Sequence, residues 1–401
     1  MCDVIVVGGG ISGIVCAIIA SKSNKKVIVL ERNDTCLKKL LLTGNGRCNY
    51  YNSVFSEKNY DSRDIDIVNN IICDSNLKMV LDFFNDLGVI SNIKNGYYYP
   101  YSNQAVTIKN LLLEEANRVG VEIICNCLVN NITYKDKYIL ETSLGEYSSK
   151  KLVLALGGCS YPKTGSTGMG YKFLKDLGHT IIKPLPGLVP LISDFKYLKE
   201  LSGIRSLVKI ELFEDGSYRD CEEGELQFTK DGISGICTFN LSHYVTRGLD
   251  IGKREEIHVN FVPFIETLIT PYMDNYSRKH SDKNLYELLE GFLNTKLIPV
   301  ILKVCNLDKN RYYKDLSNAE KLLLCNNLRS FKINIIDTKS FDYSQITNGG
   351  VKLDEVSIKT MESIKSKGLY IIGELLDMNG KCGGYNIVEC VLTGLLAGSD
   401  L

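Results

Sequence analysis

Three glycines close to the start of the chain, Gly8, Gly10 and Gly13, stand in a Gly-x-Gly-x-x-Gly spacing, and a carboxylate, Glu31, follows downstream. Residues of these types in this order suit a pyrophosphate-linked dinucleotide. The first glycine permits a tight turn, the second lets the backbone approach the pyrophosphate, and the third lets a helix and a strand pack closely. A carboxylate at the end of the next strand accepts hydrogen bonds from both ribose hydroxyls of an adenosine and repels a 2′-phosphate. Ser12 is placed to donate one further bond. On these residues alone the ligand is FAD or NAD, and the N-terminal position of the unit favours FAD.

The elements that must hold these groups are legible nearby. Val4 to Val7 is a short β-branched run suited to a parallel strand buried on both faces. A helix from Ile11 to Lys22 follows, with its free N–H groups and positive dipole end aimed at the phosphate. Val27 to Leu30 forms the second strand. After Glu31 and Arg32 a plain NAD domain would continue to its next strand. Here a short helical piece over 37–42 leads instead into Gly44, Asn45, Gly46 and Arg47. A loop of exposed backbone N–H groups with an arginine fork suits the ribityl-phosphate stretch of FAD. Arg32, Lys39 and Asn49 are further candidate cofactor ligands around it.

Six blocks, "KKLLLTGNGRCN", "GGCSYPKTGSTGMGY", "HTIIKPLPGLVPL", "GELQFTKDGISG", "TMES" and "GLYIIGELLDMNGKCGGYN", resemble the HI0933-like three-domain flavoproteins, in that family's order over nearly the whole chain. The resemblance implies an α/β fold, with a Rossmann-type FAD-binding domain like that of the two-dinucleotide-fold flavoproteins. It also implies an inserted β-barrel domain and a helical subdomain. Leu156 replaces a usual threonine, Met169 a usual acid and Lys230 a common histidine, and the final helix lacks its usual tryptophans because the chain has none. These departures bear on the substrate and leave the expected fold intact.

The texture of the chain agrees with three domains. Residues 1–189 and 345–401 read as the FAD-binding domain, 190–263 and 330–344 as a β-rich insert, and 264–329 as helical. Residues 151–158 read as a returning parallel strand whose Gly157 allows close approach to the cofactor. A small meander precedes it, and by resemblance the strand near Val129 faces the adenine. In the tail, Gly373-Glu374 ends a strand, Asp377 follows in a loop, and Gly384 opens a helix. By analogy with two-dinucleotide-fold flavoproteins, Glu374 or Asp377 is the ribityl or phosphate-side ligand. The N–H groups near Asn386 and Ile387 then face the pyrimidine edge of the ring, where the helix dipole stabilises negative charge on the reduced flavin.

The residues do not fix a catalytic acid or base. Tyr161, beside Cys159 and Ser160, and Tyr385 are candidate proton donors, and Cys48 is a candidate thiol. Disulfide reductases use two cysteines in such a loop, whereas Cys48 has no near partner, so a structural loop cysteine is the better reading. The four histidines form no spacing motif, no Cys-x-x-Cys pair occurs, and no metal site is expected. Lys+Arg and Asp+Glu both number 47, which removes any global pull towards nucleic acid or anionic lipid. No apolar stretch reaches the ~20 residues of a membrane helix. The N-terminus enters a strand directly, so the 14 cysteines are expected as reduced thiols in the cytoplasm, in a bacterial type of protein.

The resemblance implies an FAD-dependent oxidoreductase, with two-electron reduction of a polarised C=C bond preferred. Oxidation of small amino-ketones, reduction of uridine in ribosomal RNA, and a non-catalytic flavin-binding role stay open. The expected partner is a small-molecule substrate, with ribosomal RNA as the alternative. An RNA substrate predicts a basic stripe using "IRSLVK" and "KNRYYK". Electrons are expected ultimately from NAD(P)H acting as a transient reductant, since the insertion carries no second strand-glycine-helix unit.

Overall fold

Short β-branched runs with no polar alternation build the central layer. The computed structural model describes residues 2–401, and in it Leu369–Ile371, Lys151–Leu154, Val4–Val7, Val27–Leu30 and Glu122–Ile124 form one five-stranded sheet in that order. All four pairings are parallel. Val4–Val7 and Val27–Leu30 are buried along their whole lengths, as strands covered on both faces require.

The helix Ile11–Lys22 follows the first strand, and the C-terminal helix Tyr385–Asp400 packs along it. Gly394 and Gly398 set the spacing between these helices. A Cβ on Gly394 would lie 2.6 Å from the Ser12 carbonyl oxygen, and one on Gly398 would lie 2.8 Å from that of Cys16. Only glycine lets the two backbones meet this closely.

Two three-stranded sheets join this unit, which runs to Gly187 and resumes at Phe341. Val129–Tyr134, Tyr138–Thr142 and Gly145–Ser149 make the expected antiparallel meander. Tyr51–Asn52, Tyr97–Pro100 and Ser91–Lys94 make a second one, not anticipated from the sequence. Its hairpin turns at Asn95-Gly96, with both residues at positive φ, the geometry in which a two-residue Asn-Gly turn matches strand twist.

The other unit, Leu188–Ser340, contains a closed barrel of six strands. Its order is Leu191–Ser193, Gly232–Ser234, Ser217–Phe228, Arg205–Glu214, Glu255–Asn260, Phe331–Thr338. The helix Ile236–Asp250 packs on five of these strands. Between the last two strands lie the helices Ile269–Lys279, Leu285–Glu290, Leu297–Val304 and Asn318–Arg329. Capping boxes at Asn284/Glu287 and Ser317/Glu320 start two of them. Leu289, Ile298, Ile301 and Leu328 share one apolar core with the barrel residues Ile210, Phe228 and Ile257. The helical stretch 264–329 is therefore part of the same packed unit as the barrel. No helix among the described residues is long and apolar enough to cross a membrane.

One buried group in this unit makes stability depend on pH. Glu255 is fully buried, and neither of its carboxyl oxygens meets a hydrogen-bond partner. Burial, then the neighbouring Glu214, push its carboxyl up to about 7, with Asp215 adding to the rise and Lys253 and Arg219 opposing it. The folded chain thus keeps a proton that the unfolded chain releases. Stability from this group is complete below the ordinary glutamate value and is lost as pH rises through about 7. Glu255→Gln is expected to gain about 2 kcal/mol over the parent at alkaline pH and almost nothing at pH 4. Urea midpoints at the two pH values check this, and an equal gain at both would refute it.

Candidate active site

The glycine turn is built as its spacing demands. Gly8 has φ +106°, and a Cβ there would stand 2.3 Å from the Ala155 carbonyl oxygen of the adjacent strand. A Cβ on Gly13 would stand 2.1 Å from the Gly8 oxygen. Gly10 differs from both: its Cβ would meet nothing within 4 Å. Packing therefore explains Gly8 and Gly13, while the open space at Gly10 fits a ligand that approaches the backbone at a helix N-terminus.

Glu31 is buried at the end of the second strand. One of its oxygens accepts from Gly9 N at 2.7 Å, and the other accepts from Asn33 N and Asn33 Nδ2. A carboxylate offers about four acceptor positions, so capacity for a ribose hydroxyl remains. The Thr164–Gly168 loop folds over this strand end, with Asn33 Nδ2 donating to Thr164 O and Arg32 Nη1 to Thr167 Oγ1. Gly157, at φ +70°, packs beneath Ser166 of the same loop. Cys127 N donates to Glu31 O and brings the start of the meander, Val129, to the end of the second strand.

Lys39, Ser160, Thr347 and Glu374 come together from four separate segments. Lys39 Nζ lies 2.5 Å from both Ser160 Oγ and Glu374 Oε2. Glu374 Oε1 accepts from Ser160 Oγ and Thr347 N, and Thr347 Oγ1 accepts from the backbone N–H groups of Cys159 and Ser160. Gly158 must lack a side chain here, because its Cβ would fall 2.2 Å from Thr347 Oγ1. The Glu374 carboxylate is thus engaged by protein donors, as the centre of a bolt through the glycine-rich loop. Thr347 was not singled out by sequence, for its partners are remote in the chain. Gly373 sits against Ser12 Oγ and donates its N–H to Thr393 Oγ1.

The segment around Arg47 follows the expected order of a short helical piece and then a glycine-bent loop. A 3₁₀ stretch spans Lys39–Gly46, broken at Thr43, and Gly44, Asn45 and Gly46 all take positive φ. Arg47 is exposed: its Nε donates to Gly44 O, and its guanidinium lies 5.0 Å from the centre of the Tyr99 ring. Asn49 donates its amide to the Tyr98 and Tyr51 carbonyls, joining this segment to the second small sheet.

At the C-terminal helix, Gly384 provides a left-handed N-cap, and Ile387 N donates to Gly384 O. Asn386 bonds through its side chain to both backbone groups of Gly380, which holds the preceding loop against the helix start. Asp377 is fully buried and accepts from Arg63 N and Asn379 Nδ2. Glu389, one turn into the helix, was not anticipated. It is buried with one oxygen unpartnered, and burial followed by the nearby Glu374 holds its carboxyl well above the usual range, which favours its protonated form.

The candidates for chemistry separate on geometry. Tyr385 donates its hydroxyl to Val54 O and packs on Phe55 and Tyr60. Tyr161 is held in the left-handed region, and burial raises its phenol, so it keeps its proton at neutral pH. Cys48 is fully buried and burial pushes its thiol up to about 12, which makes it inert towards electrophiles. Cys73 differs: a hydrogen bond from Ser75, 3.2 Å away, lowers its thiol. Iodoacetamide at neutral pH is expected to label Cys73 ahead of the other thiols and to spare Cys48, as read by peptide mass spectrometry. Early labelling of Cys48 would contradict its burial.

A dinucleotide turn, an acid at the second strand end, a returning glycine-rich loop and a C-terminal helix aimed back at them define an FAD-dependent oxidoreductase. The profile of the HI0933-like protein Rossmann domain matches residues 2–400, and the chain belongs to that family. It is 34% identical to the 3-dehydro-bile acid delta(4,6)-reductase of Clostridium scindens, over 98% of this chain and 97% of that one. It is 25% identical to the ribosomal RNA dihydrouridine synthase of Escherichia coli, over 96% of this chain and 94% of that one. Among solved structures, a flavocytochrome c3 fumarate reductase in an open conformation matches with a TM-score of 0.50 at 14% identity, covering all of this chain and 78% of that one. That last likeness supports the fold alone. The cofactor is FAD. The open space at Gly10, the spare acceptor capacity of Glu31 and the helix start at Gly384 fit it.

Proposed function

We propose that the protein reduces a polarised C=C bond conjugated to a carbonyl in a small, largely apolar substrate. FAD, when bound, supplies the two electrons. The chain holds the cofactor through the Gly8–Gly13 turn and Glu31, and keeps the 157–161 loop in place through the Lys39–Glu374 bolt. Tyr161 is the proton donor we favour, because its phenol stays protonated and has no hydrogen-bond partner among the described residues, whereas the Tyr385 hydroxyl is committed to Val54.

The observation that carries this reading over RNA is the state of the two basic segments. Arg205 pairs with Glu225, Lys209 with Glu211, and Arg311 with Glu320. Acids lie beside these three cations, which leaves Lys309 and Lys314 as the remaining charges of the two segments, too few for a stripe of phosphate contacts. Similarity along the whole chain to a 3-dehydro-bile acid delta(4,6)-reductase supports the same choice.

The test is anaerobic. Flavin reduced with dithionite should regain its oxidised absorbance on adding a Δ4-3-ketosteroid, with the saturated ketone as product. NADH or NADPH, with no second strand-glycine-helix unit in the insertion to dock on, should bleach the oxidised flavin slowly. Reoxidation by a uridine-containing RNA and not by any enone would reverse the assignment.

A further inference from the structure

Tyr161 stands in a backbone conformation that a tyrosine keeps only when its surroundings enforce it. Its φ of +49° and ψ of +61° lie in the left-handed region, where a Cβ crowds the following carbonyl. Such a residue persists when the groups around it over-determine its setting. Both of its peptide groups are held here. Tyr161 N donates to Phe341 O at 3.0 Å. Tyr161 O accepts twice from Thr164, from its N and from its Oγ1, each at 2.8 Å.

Thr164 is itself held from the end of the second strand. Its carbonyl accepts from Asn33 Nδ2 at 2.9 Å, and the same amide nitrogen donates to Glu31 Oε1 at 2.7 Å. An amide nitrogen carries two hydrogens, and both are committed in this way. Asn33 N donates to that Glu31 oxygen too, at 2.8 Å. The loop closes so tightly on the amide that a Cβ on Gly165, at φ +113°, would fall 2.6 Å from Asn33 Nδ2. Gly168 N donates to Gly158 O, so the loop is already closed on itself without Asn33. What Asn33 adds is the connection to Glu31. One line of hydrogen bonds runs from that carboxylate through Asn33 and Thr164 to the Tyr161 backbone.

We propose that Asn33 is a positioning residue for the proton donor: acting through Thr164, it keeps Tyr161 in its left-handed setting and ties that setting to occupancy of Glu31 by the cofactor's ribose. The role of Tyr161 rests on the reductase reading, whereas the clasp can be read without turnover. A ribose hydroxyl on Glu31 steadies the carboxylate, the carboxylate steadies the Asn33 amide, and the amide steadies the loop. Coupling of this kind is carried by contiguous hydrogen-bonded groups.

The first readout is hydrogen exchange at the Tyr161 and Thr164 amides of the full chain, without FAD and at saturating FAD. In the parent, FAD should slow exchange at both amides, and in Asn33→Ala at saturating FAD that slowing should be lost. Thr164→Val, which keeps the side-chain shape without the hydroxyl, should lose part of it, and Thr164→Ser should keep it. The second readout is single-turnover reoxidation of reduced flavin by a Δ4-3-ketosteroid. Tyr161→Phe should slow this step about 100-fold. Asn33→Ala should slow it about tenfold, with enone affinity unchanged. In the Tyr161→Phe background, Asn33→Ala should cost less than about twofold, because the group it positions is already gone. FAD-dependent slowing that survives in Asn33→Ala overturns the proposal, as do additive rate losses in the double variant, which would make Asn33 a general support of the fold. Failure of Asn33→Ala to take up FAD at any concentration would make it a cofactor ligand and overturns it too. If Tyr161→Phe reoxidises as fast as the parent, the positioning role falls and the reductase reading stands. If no enone reoxidises the parent's flavin, that reading falls, and the exchange result still decides the clasp.

Discussion

Gly10→Ala should fold normally and emerge colourless. Gly10 lies in extended backbone that alanine adopts freely, and the added methyl would touch nothing within 4 Å. The FAD-free variant should therefore melt close to the FAD-free parent, with at most about 1 kcal/mol lost at the helix cap. The methyl instead occupies the approach of the pyrophosphate. Crowding of this kind costs about 1–3 kcal/mol, so FAD affinity should fall roughly 10- to 100-fold. Gly13→Ala is the contrast, because its methyl would meet the Gly8 carbonyl at 2.1 Å and damage the fold whether or not FAD is present. Cofactor content after purification, FAD titration and melting of the two apo-proteins separate the cases. Full flavin loading of Gly10→Ala would remove the cofactor from this turn.

Breaking the Lys39–Glu374 bolt should have the next largest effect. The two side chains are only 24% and 17% exposed, and Glu374 also serves Ser160 and Thr347. Lys39→Met would leave a largely buried carboxylate without its cation. Removing one partner of a buried pair costs 3–5 kcal/mol when burial is complete, so about 2–3 kcal/mol is expected here. Glu374→Gln alone should cost less, because an amide still bonds Ser160 while Lys39 reaches water. The double variant should recover part of the loss, giving a coupling energy of about 2 kcal/mol in a double-mutant cycle. Strict additivity would show that the pair acts separately. Weaker FAD binding in Lys39→Met, with the Gly8–Gly13 turn untouched, would locate the bolt's role in holding the 157–161 loop.

Much of the fold was legible because its signals are local. Continuous β-branched runs marked Val4–Val7 and Val27–Leu30, and alternation marked the meander. The second small sheet is poorly legible in sequence although Asn95-Gly96 is a strong hairpin signal, since Tyr97, Tyr98 and Tyr99 show no alternation of polarity. The loop ending in Arg47 was read correctly as glycine-bent backbone, but the direction of the arginine depends on Tyr99, a residue from another strand.

The sequence by itself determined the dinucleotide turn and the acid that follows it, because those demands concern backbone angles and close approach within some thirty residues. Tertiary structure alone decided the rest: that Lys39 meets Ser160 and Glu374, 121 and 335 positions away, and that Asn33 clasps Thr164. Contacts across such separations leave no spacing to read. They exist only once the strands have closed and the last helix has packed against the first.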